Sequence, residues 1–582
     1  MIVKLARTAG FCMGVKRAVD MVLDIARRKG KENIYTYGPL IHNPQTIELL
    51  RRRGIIPVSH LDEIREGGAT IIIRAHGISP QEREKIREKG IRIIDATCPK
   101  VAHVQAIIKK HALLNYTVLI VGDGEHPEVN GLLGYTEGKG IVIGSRDEVD
   151  RLPDLDKVCV VAQTTQSIVE YDGIVNRIKA RFPDPVVFDT ICNSTEQRQA
   201  DVKKLAGQMD AMVIVGGKNS ANTKRLARLS ELTGVPTFHI ETAEELKKMT
   251  MNSYERIGVS AGASTPNWII DRVVDSITSY QGQKRKKIKG LLNLWVFTIR
   301  CDIYSAIGAG CLSFTGMLLQ KLNVSILNIL TTSFYVYAMH TLNRFINRKT
   351  SSSIIGSFRE ELYLKHEKLY LFMGLLALFL AMVSSFITGL APFFLLLLIS
   401  VLGVLYNTRL LPENWRLKRL RDLPGSKNVS MAMAWGTVAT VLPQMEAEYQ
   451  PAITPGMIVA FLFVFTMVFI RSAMSDTLDI QSDRLIGRET IPVLIGKEYT
   501  QILLQGILVF LVILLVIAYL ARWTPSLGLA LLSCPFYVWI CFKLYDRRSQ
   551  LSGVILEGLL ETCYLVAGLS AFLWIVFTRH VP

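Results

Sequence analysis

Two patterns of apolar positions divide the chain. Up to about residue 280, short apolar runs such as ATIIIRAHG, NYTVLIVGDG, KVCVVAQTT and AMVIVGGKN alternate with stretches such as VKRAVDMVLDIARRKG. In the latter, apolar residues recur at helical spacing and Gly30 closes the run as a C-cap. The short runs read as strands, so this part is predicted to be α/β. Beyond it the apolar runs lengthen to roughly 17 to 23 residues, the length that crosses a bilayer as helix. About nine such runs follow, from 302–320 to 555–578, which predicts an all-α polytopic membrane part. SITSYQGQKRKKIKG between the two is polar and basic and reads as a join. The expected domains are residues 1–280, a basic linker 281–300 and a membrane part 301–582.

Composition sharpens this picture at three points. The opening MIVKLARTAG has no apolar h-region, so no cleavable signal peptide is expected and the first part is expected in the cytoplasm. Thiols stay reduced there, and the chain's nine cysteines need not imply disulfides. The formal charge of +17 lies largely beside the apolar runs, as in QKRKKIKG and RLKRLR, rather than on one face with interleaved aromatics. That argues against nucleic acid and for a multi-pass protein of the plasma membrane, with membrane lipid as partner and basic loops on the cytoplasmic side.

Three cysteines, Cys12, Cys98 and Cys192, each follow a strand-like run and precede a helix-like one, at nearly equal intervals. The last two share a D-x-x-C turn, from Asp95 and Asp189. Helix N-termini favour thiolates, so the pattern predicts three similar α/β units giving one sulfur each to a common centre. Three soft ligands with one open position suit an iron–sulfur cluster; three buried structural thiols are the plainer alternative. The turn-rich TYGPLIHNPQT carries His42, other strand ends carry His76, His126, Glu128, Thr164 and Thr165, and two more carry Ser220 with Asn222 and Ser264. Ligands of α/β sheets bind at such ends, and Gly beside small hydroxyls at a helix start suits phosphate.

Taken together, GFCMGVKRAV, GPLIHNP, RAHG, DATCP, EHPEV, QTT, D-x-x-C-N-S-T, KNSANT and SAGAS resemble the 4-hydroxy-3-methylbut-2-enyl diphosphate reductase (IspH/LytB) family over about residues 1 to 280. One serine of that family's Ser-Ser-Asn run is Ala221 here. The resemblance implies a 4Fe–4S cluster on Cys12, Cys98 and Cys192. It also implies a diphosphate held by His42, His76, His126, Thr165, Ser194, Ser220, Asn222 and Ser264. Glu128, aided by Thr164 and His126, would deliver the proton, and a ferredoxin- or flavodoxin-like protein would bring electrons. The products would be isopentenyl and dimethylallyl diphosphate. Another three-cysteine iron–sulfur dehydratase is the alternative.

In the membrane part, RSAMSDTLDIQSDRLIGRETIPVLIG sets Asp476, Asp479 and Asp483 at i, i+3 and i+7, on one helix face. Clustered carboxylates call for a hard cation such as magnesium bridging a diphosphate, whereas an acidic loop at the membrane surface needs none. The stretch resembles the second aspartate motif of the UbiA superfamily of membrane prenyltransferases, which also has nine helices. The family's first motif, N-x-x-x-D, corresponds to Asn343 and Asn347, so one carboxylate of the first magnesium site is replaced by an amide. Arg344 and Arg348 would then hold phosphate directly, with Lys418, Arg419 and Lys427 as further candidates. The alternative for this half is a degenerate fold serving as membrane anchor or binding module.

Overall fold

The computed structural model describes residues 2–29, 34–64, 69–248, 251–280, 288–346, 363, 366–407, 423, 425–446, 453–486, 488–545 and 553–579. Asn347, Arg348, Lys418 and Arg419 lie outside the described residues. The chain divides into two compact units, Met1–Gln281 and Gly282–Pro582.

In the first unit the strands are β1 (Ile2–Leu5), β2 (Ile34–Tyr37), β3 (Ile55–Val58), β4 (Thr70–Ile73), β5 (Arg92–Asp95) and β6 (Thr117–Val121). They continue as β7 (Gly140–Ile143), β8 (Val158–Ala162), β9 (Val186–Val187), β10 (Ala211–Val215), β11 (Thr237–Ile240) and β12 (Arg256–Ala261). All pair in parallel, in sheets ordered β3-β2-β4-β5, β7-β6-β8-β9 and β11-β10-β12-β1. The three expected α/β units are present with one order, second strand, first, third, fourth. The third unit differs from the sequence expectation in being closed by the start of the chain, Leu5 pairing with Val259. Central strands such as β6, β8 and β10 are covered on both faces, which is why they are continuous apolar runs rather than alternating ones. Helix Pro99–Leu113, for example, sets Val104 and Ile108 against Val118 and Ile120.

The second unit is helical. Among the described residues, five helices are long and apolar enough to cross a membrane: Glu367–Thr388, Pro455–Leu478, Lys497–Leu520, Leu527–Tyr545 and Val554–Thr578. A sixth is added if Leu294–Arg300 and Ile303–Leu319, bent by 82° to one another, form one span. Asp302 sits at that bend with φ 58°. The other expected spans are helical but less apolar or shorter. Ile326–Ile346 carries Asn328, His340, Asn343 and Arg344, and the run at 428–444 is interrupted by a π-turn over Thr437–Val441. Pro455–Leu478 lies at the centre, burying Val459, Phe463, Met467, Ile470 and Met474 in one core with Tyr335 and Tyr564.

Candidate active sites

Each sulfur is hung in the same way. Cys98 and Cys192 are the N-caps of helices Pro99–Leu113 and Asn193–Ala206, and Cys12 immediately precedes helix Met13–Lys29. The Cys98 N–H donates to the Ala75 carbonyl (2.9 Å), that of Cys192 to Thr164 (2.9 Å) and that of Cys12 to Ala263 (3.1 Å). These three carbonyls stand at one offset past β4, β8 and β12. All three cysteines are free and half-buried. A Cβ on Gly14 would lie 2.6 Å from Cys98 Sγ and 4.0 Å from Cys12 Sγ, so only glycine lets the first helix start this close to both sulfurs. Burial pushes the Cys98 thiol up, while the N–H groups of Lys100 and Val101 act the other way. The buried Arg198 donates to the carbonyls of Ala261 (3.1 Å) and Gly10 (2.6 Å); burial lowers its guanidinium, and the neighbouring Cys12 and Cys192 oppose that. Three soft donors, three helix N-termini and one buried cation fit a group held by thiolates, of which an iron–sulfur cluster is the type.

Beside the sulfurs three imidazoles converge, His42, His76 and His126, with ring centroids 5.0, 5.3 and 6.0 Å apart. The threefold repeat explains the convergence. His42, His126 and Ser220 stand at one offset past β2, β6 and β10, whereas His76, Thr165 and Ser264 stand at another past β4, β8 and β12. His126 Nδ1 accepts from the Glu128 N–H (3.2 Å), which assigns the ring proton to Nε2 as a donor. His42 Nε2, His76 Nδ1 and Asn222 Nδ2 are buried with no hydrogen-bond partner among the described residues. An unmet polar group costs about 1–3 kcal/mol, so three together mark a place for a polar ligand. Burial, aided by neighbouring positive charge, lowers all three imidazoles: His42 modestly, His76 well below the usual range, and His126 to about 4. They are therefore neutral at pH 7. Ser220 caps helix Ala221–Glu231, and the Ser264 hydroxyl donates to the His42 carbonyl at 3.4 Å. Ser194 is half-buried at the start of the Cys192 helix.

Glu128 is fully enclosed and clasped by one residue. The Thr164 N–H donates to Oε1 (2.7 Å) and the Thr164 hydroxyl to Oε2 (2.9 Å). Burial raises the carboxyl, and the Thr164 bonds and the Arg225 charge oppose it. Since the Thr164 carbonyl also receives the Cys192 N–H, a single residue joins the acid to the sulfur centre. Sequence reasoning missed Arg225, Arg74 and Arg198. Arg225 donates to the Thr165 hydroxyl (3.0 Å) and to Gln163 Oε1 (3.2 Å), so Thr165 is already engaged. Arg74, largely buried beside His42 and His76, has its Nε unpartnered among the described residues. Nothing in the local sequence separates these arginines from surface ones.

In the second unit, Asp476 is buried at the end of Pro455–Leu478, with Asp479 as that helix's C-cap and Asp483 on the short helix that follows. Lys427 Nζ pairs with Asp476 Oδ1 at 2.6 Å, whereas Asp476 Oδ2 has no hydrogen-bond partner among the described residues. Asp483 lies 3.6 Å from Arg488. Asn343 is half-buried on Ile326–Ile346. Arg344, expected to hold phosphate, is instead bound through two nitrogens to Asp302 (2.8 and 2.9 Å), which also accepts from the Tyr363 hydroxyl (2.8 Å). Sequence reading missed Asp302, whose only signal is a charge inside an apolar segment.

Residues 3–278 match the LytB protein family, and residues 364–554 match the UbiA prenyltransferase family. The 4-hydroxy-3-methylbut-2-enyl diphosphate reductase of Geobacter sulfurreducens is 44% identical over 285 residues, 49% of this chain and 100% of that protein. The enzyme of the same name from Aquifex aeolicus is 44% identical over 276 residues, 47% of this chain and 94% of that protein. Among solved structures, a UbiA homolog from Archaeoglobus fulgidus bound to GPP and Mg2+ aligns with 15% identity and a TM-score of 0.36, covering 48% of this chain and 99% of that chain. The second match includes Asp476, Asp479 and Asp483 but begins after Asn343 and Asn347.

Proposed function

We propose, from the chain's membership of the LytB family over residues 3–278 and the match of residues 364–554 to the UbiA prenyltransferase family, that it joins a reductase making five-carbon diphosphates to a membrane prenyltransferase consuming allylic ones. The first half removes the hydroxyl of 4-hydroxy-3-methylbut-2-enyl diphosphate with two electrons and two protons, giving water and isopentenyl or dimethylallyl diphosphate. A 4Fe–4S cluster on Cys12, Cys98 and Cys192 supplies Lewis acidity and electron transfer there, fed by a ferredoxin- or flavodoxin-like protein. His42, His76, His126, Ser220, Asn222 and Ser264 bind the diphosphate, with Thr165 and Ser194 at its edge. Glu128 gives the proton that lets the hydroxyl leave as water, and Thr164 holds its carboxyl in place for that transfer. Burial of this set keeps bulk water from competing for the bound anion.

The observation that carries the reading is Thr164, which clasps Glu128 with its N–H and hydroxyl while its carbonyl receives the Cys192 N–H. Incubating the full-length chain with the hydroxylated diphosphate and reduced viologen tests it. Consumption with release of both five-carbon products is expected, and no consumption overturns it.

For the second half the proposal is about nine spans in the plasma membrane, the first half in the cytoplasm, with Asp476, Asp479 and Asp483 as the residues that would hold magnesium, which would supply positive charge to an allylic diphosphate, and Asn343 as a further substrate contact. One observation favours a second reading. The Lys427–Asp476 pair already neutralises one carboxylate, as a binding module without metal would require. Transfer of labelled allylic diphosphate to membrane-extracted acceptors, with and without magnesium, separates the two.

A further inference from the structure

The reductase reading leaves open where electrons enter, and the surface around the three sulfurs bears on it. The residue after each cysteine, Met13, Pro99 and Asn193, is exposed, so the protein surface lies one residue from every thiol. Contacts tie these points into one face. Arg17 donates to the Thr97 carbonyl (2.9 Å), next to Cys98, and Lys100 Nζ reaches Asn193 Oδ1 (3.4 Å), next to Cys192.

At two of the three helix starts on this face the charge runs against helix stability, while the third, Asn193–Ala206, carries Glu196 in its first turn. Helices Met13–Lys29 and Pro99–Leu113 have no acidic residue in their first turns, where Lys16 and Lys100 stand exposed, with the exposed Arg17 next along the first helix. A cation at a helix N-terminus faces the positive end of the macrodipole and costs about 0.3–1 kcal/mol where an anion would gain as much. Arg17 and Lys100 donate to a carbonyl and an amide rather than to sulfur. Met13, 81% exposed, is among the largest apolar surfaces left uncovered in the first unit. It borders an open hollow of about 540 Å³ that runs along the helix past Met21 and Ile25 and is also lined by Asp20 and Asp24. An adaptable methionine seat with basic residues at the sulfur end has the anatomy of a transient protein interface.

We infer that the face formed by Met13, Lys16, Arg17 and Lys100 is the docking site of a small acidic electron-carrier protein. Electron tunnelling falls off steeply with distance, so a carrier has to settle where the sulfurs are nearest the surface. Positive charge there draws an acidic carrier in and orients it, and Met13 supplies a dry contact over Cys12. The inference rests on the reductase reading and adds the partner's charge and seat.

The test is binding rather than turnover. The full-length chain in phosphatidylcholine nanodiscs is titrated with an oxidised acidic bacterial ferredoxin across a salt series, as wild type, Lys16→Glu/Lys100→Glu, and Lys109→Glu/Lys110→Glu at the far end of the Cys98 helix. Arg17 is left alone because it fixes Thr97. Lys16→Glu/Lys100→Glu is expected to weaken binding about tenfold and flatten its salt dependence, with the brown absorbance and dithionite-driven consumption of the diphosphate intact. Lys109→Glu/Lys110→Glu is expected to bind as wild type does. Unchanged affinity in Lys16→Glu/Lys100→Glu, an equal loss in Lys109→Glu/Lys110→Glu, or no ferredoxin binding at low salt overturns the docking face. Absence of dithionite-driven consumption in the wild type fails the reductase reading instead, whatever the ferredoxin does.

Discussion

Glu128 shows how much the proposed chemistry asks of one carboxyl. To act as an acid it has to hold its proton nearer neutrality than a surface glutamate does, and burial pushes it that way while Thr164 and Arg225 pull back. Replacement by Gln keeps the shape but carries no acidic proton. Glu128→Gln is therefore expected to lose roughly 10²–10⁴-fold in turnover while the brown absorbance and diphosphate affinity persist. Unchanged turnover would remove Glu128 from the mechanism. Thr164→Val deletes one bond that favours the carboxylate, so the basic limb of the pH–rate profile should move to higher pH; a shift to lower pH contradicts the assignment. The imidazoles titrate in the other sense. They are neutral in the free protein, His126 down to about 4, and a bound diphosphate favours their protonation. Binding should then take up protons, and affinity should rise as pH falls from neutrality toward 4. Calorimetry in two buffers of different ionisation enthalpy measures the uptake, and zero uptake contradicts it.

At the scale of elements, the sulfur centre is built by helix starts, and Gly14 is where that is most exposed to test. Helix propensity alone says Gly14→Ala should gain about 1 kcal/mol. The new Cβ would meet Cys98 Sγ at 2.6 Å, however, so the helix has to back away and the substitution is expected to cost iron content and brown absorbance. Gly90→Ala, with nothing within 4 Å but φ +66°, should keep the iron and lose only about 1 kcal/mol of stability. Iron retained in Gly14→Ala would mean that the helix start does not border the centre. The cysteines and strand-end histidines were legible in the sequence because short apolar runs bounded by Gly and His announce buried strands. The repeat was legible too, through its D-x-x-C turns. Closure of the third sheet by β1 was not, because pairing between Ile2–Leu5 and Arg256–Ala261 leaves no local trace. The equivalence of His42 with His126 and Ser220, rather than with His76, likewise required the strand ends. Arg74, Arg198 and Arg225 escaped because burial, not residue type, gives them their part.

For the whole molecule the open issue is whether both halves are enzymes, and the second half offers a contrast to exploit. The stretch that resembles the second aspartate motif carries Asp476, Asp479 and Asp483, while the one that resembles the first has Asn347 where the family pattern has Asp. Arg344→Ala is a poor probe, since it would strand a buried Asp302 and destabilise the fold by about 3–5 kcal/mol whatever binds nearby. Asp476→Asn and Asp479→Asn keep the volume and remove one charge each. If these carboxylates hold magnesium, each substitution should abolish prenyl transfer, because a bound cation would supply the charge that stabilises a diphosphate leaving group. Reductase activity of the same preparations should be unchanged, which controls for folding of the chain. Lys427→Met adds a second arm. A fixed ammonium on Asp476 competes with a cation for that carboxylate, so its removal should tighten magnesium binding, and Asn347→Asp should do the same by restoring a ligand. Transfer of labelled allylic diphosphates of several lengths, followed with magnesium titration, reads all four variants. Should the wild type neither transfer nor bind diphosphate in a magnesium-dependent way, and neither Asn347→Asp nor Lys427→Met restore it, the Lys427–Asp476 pair is a structural neutraliser and the second half is the membrane anchor of a reductase.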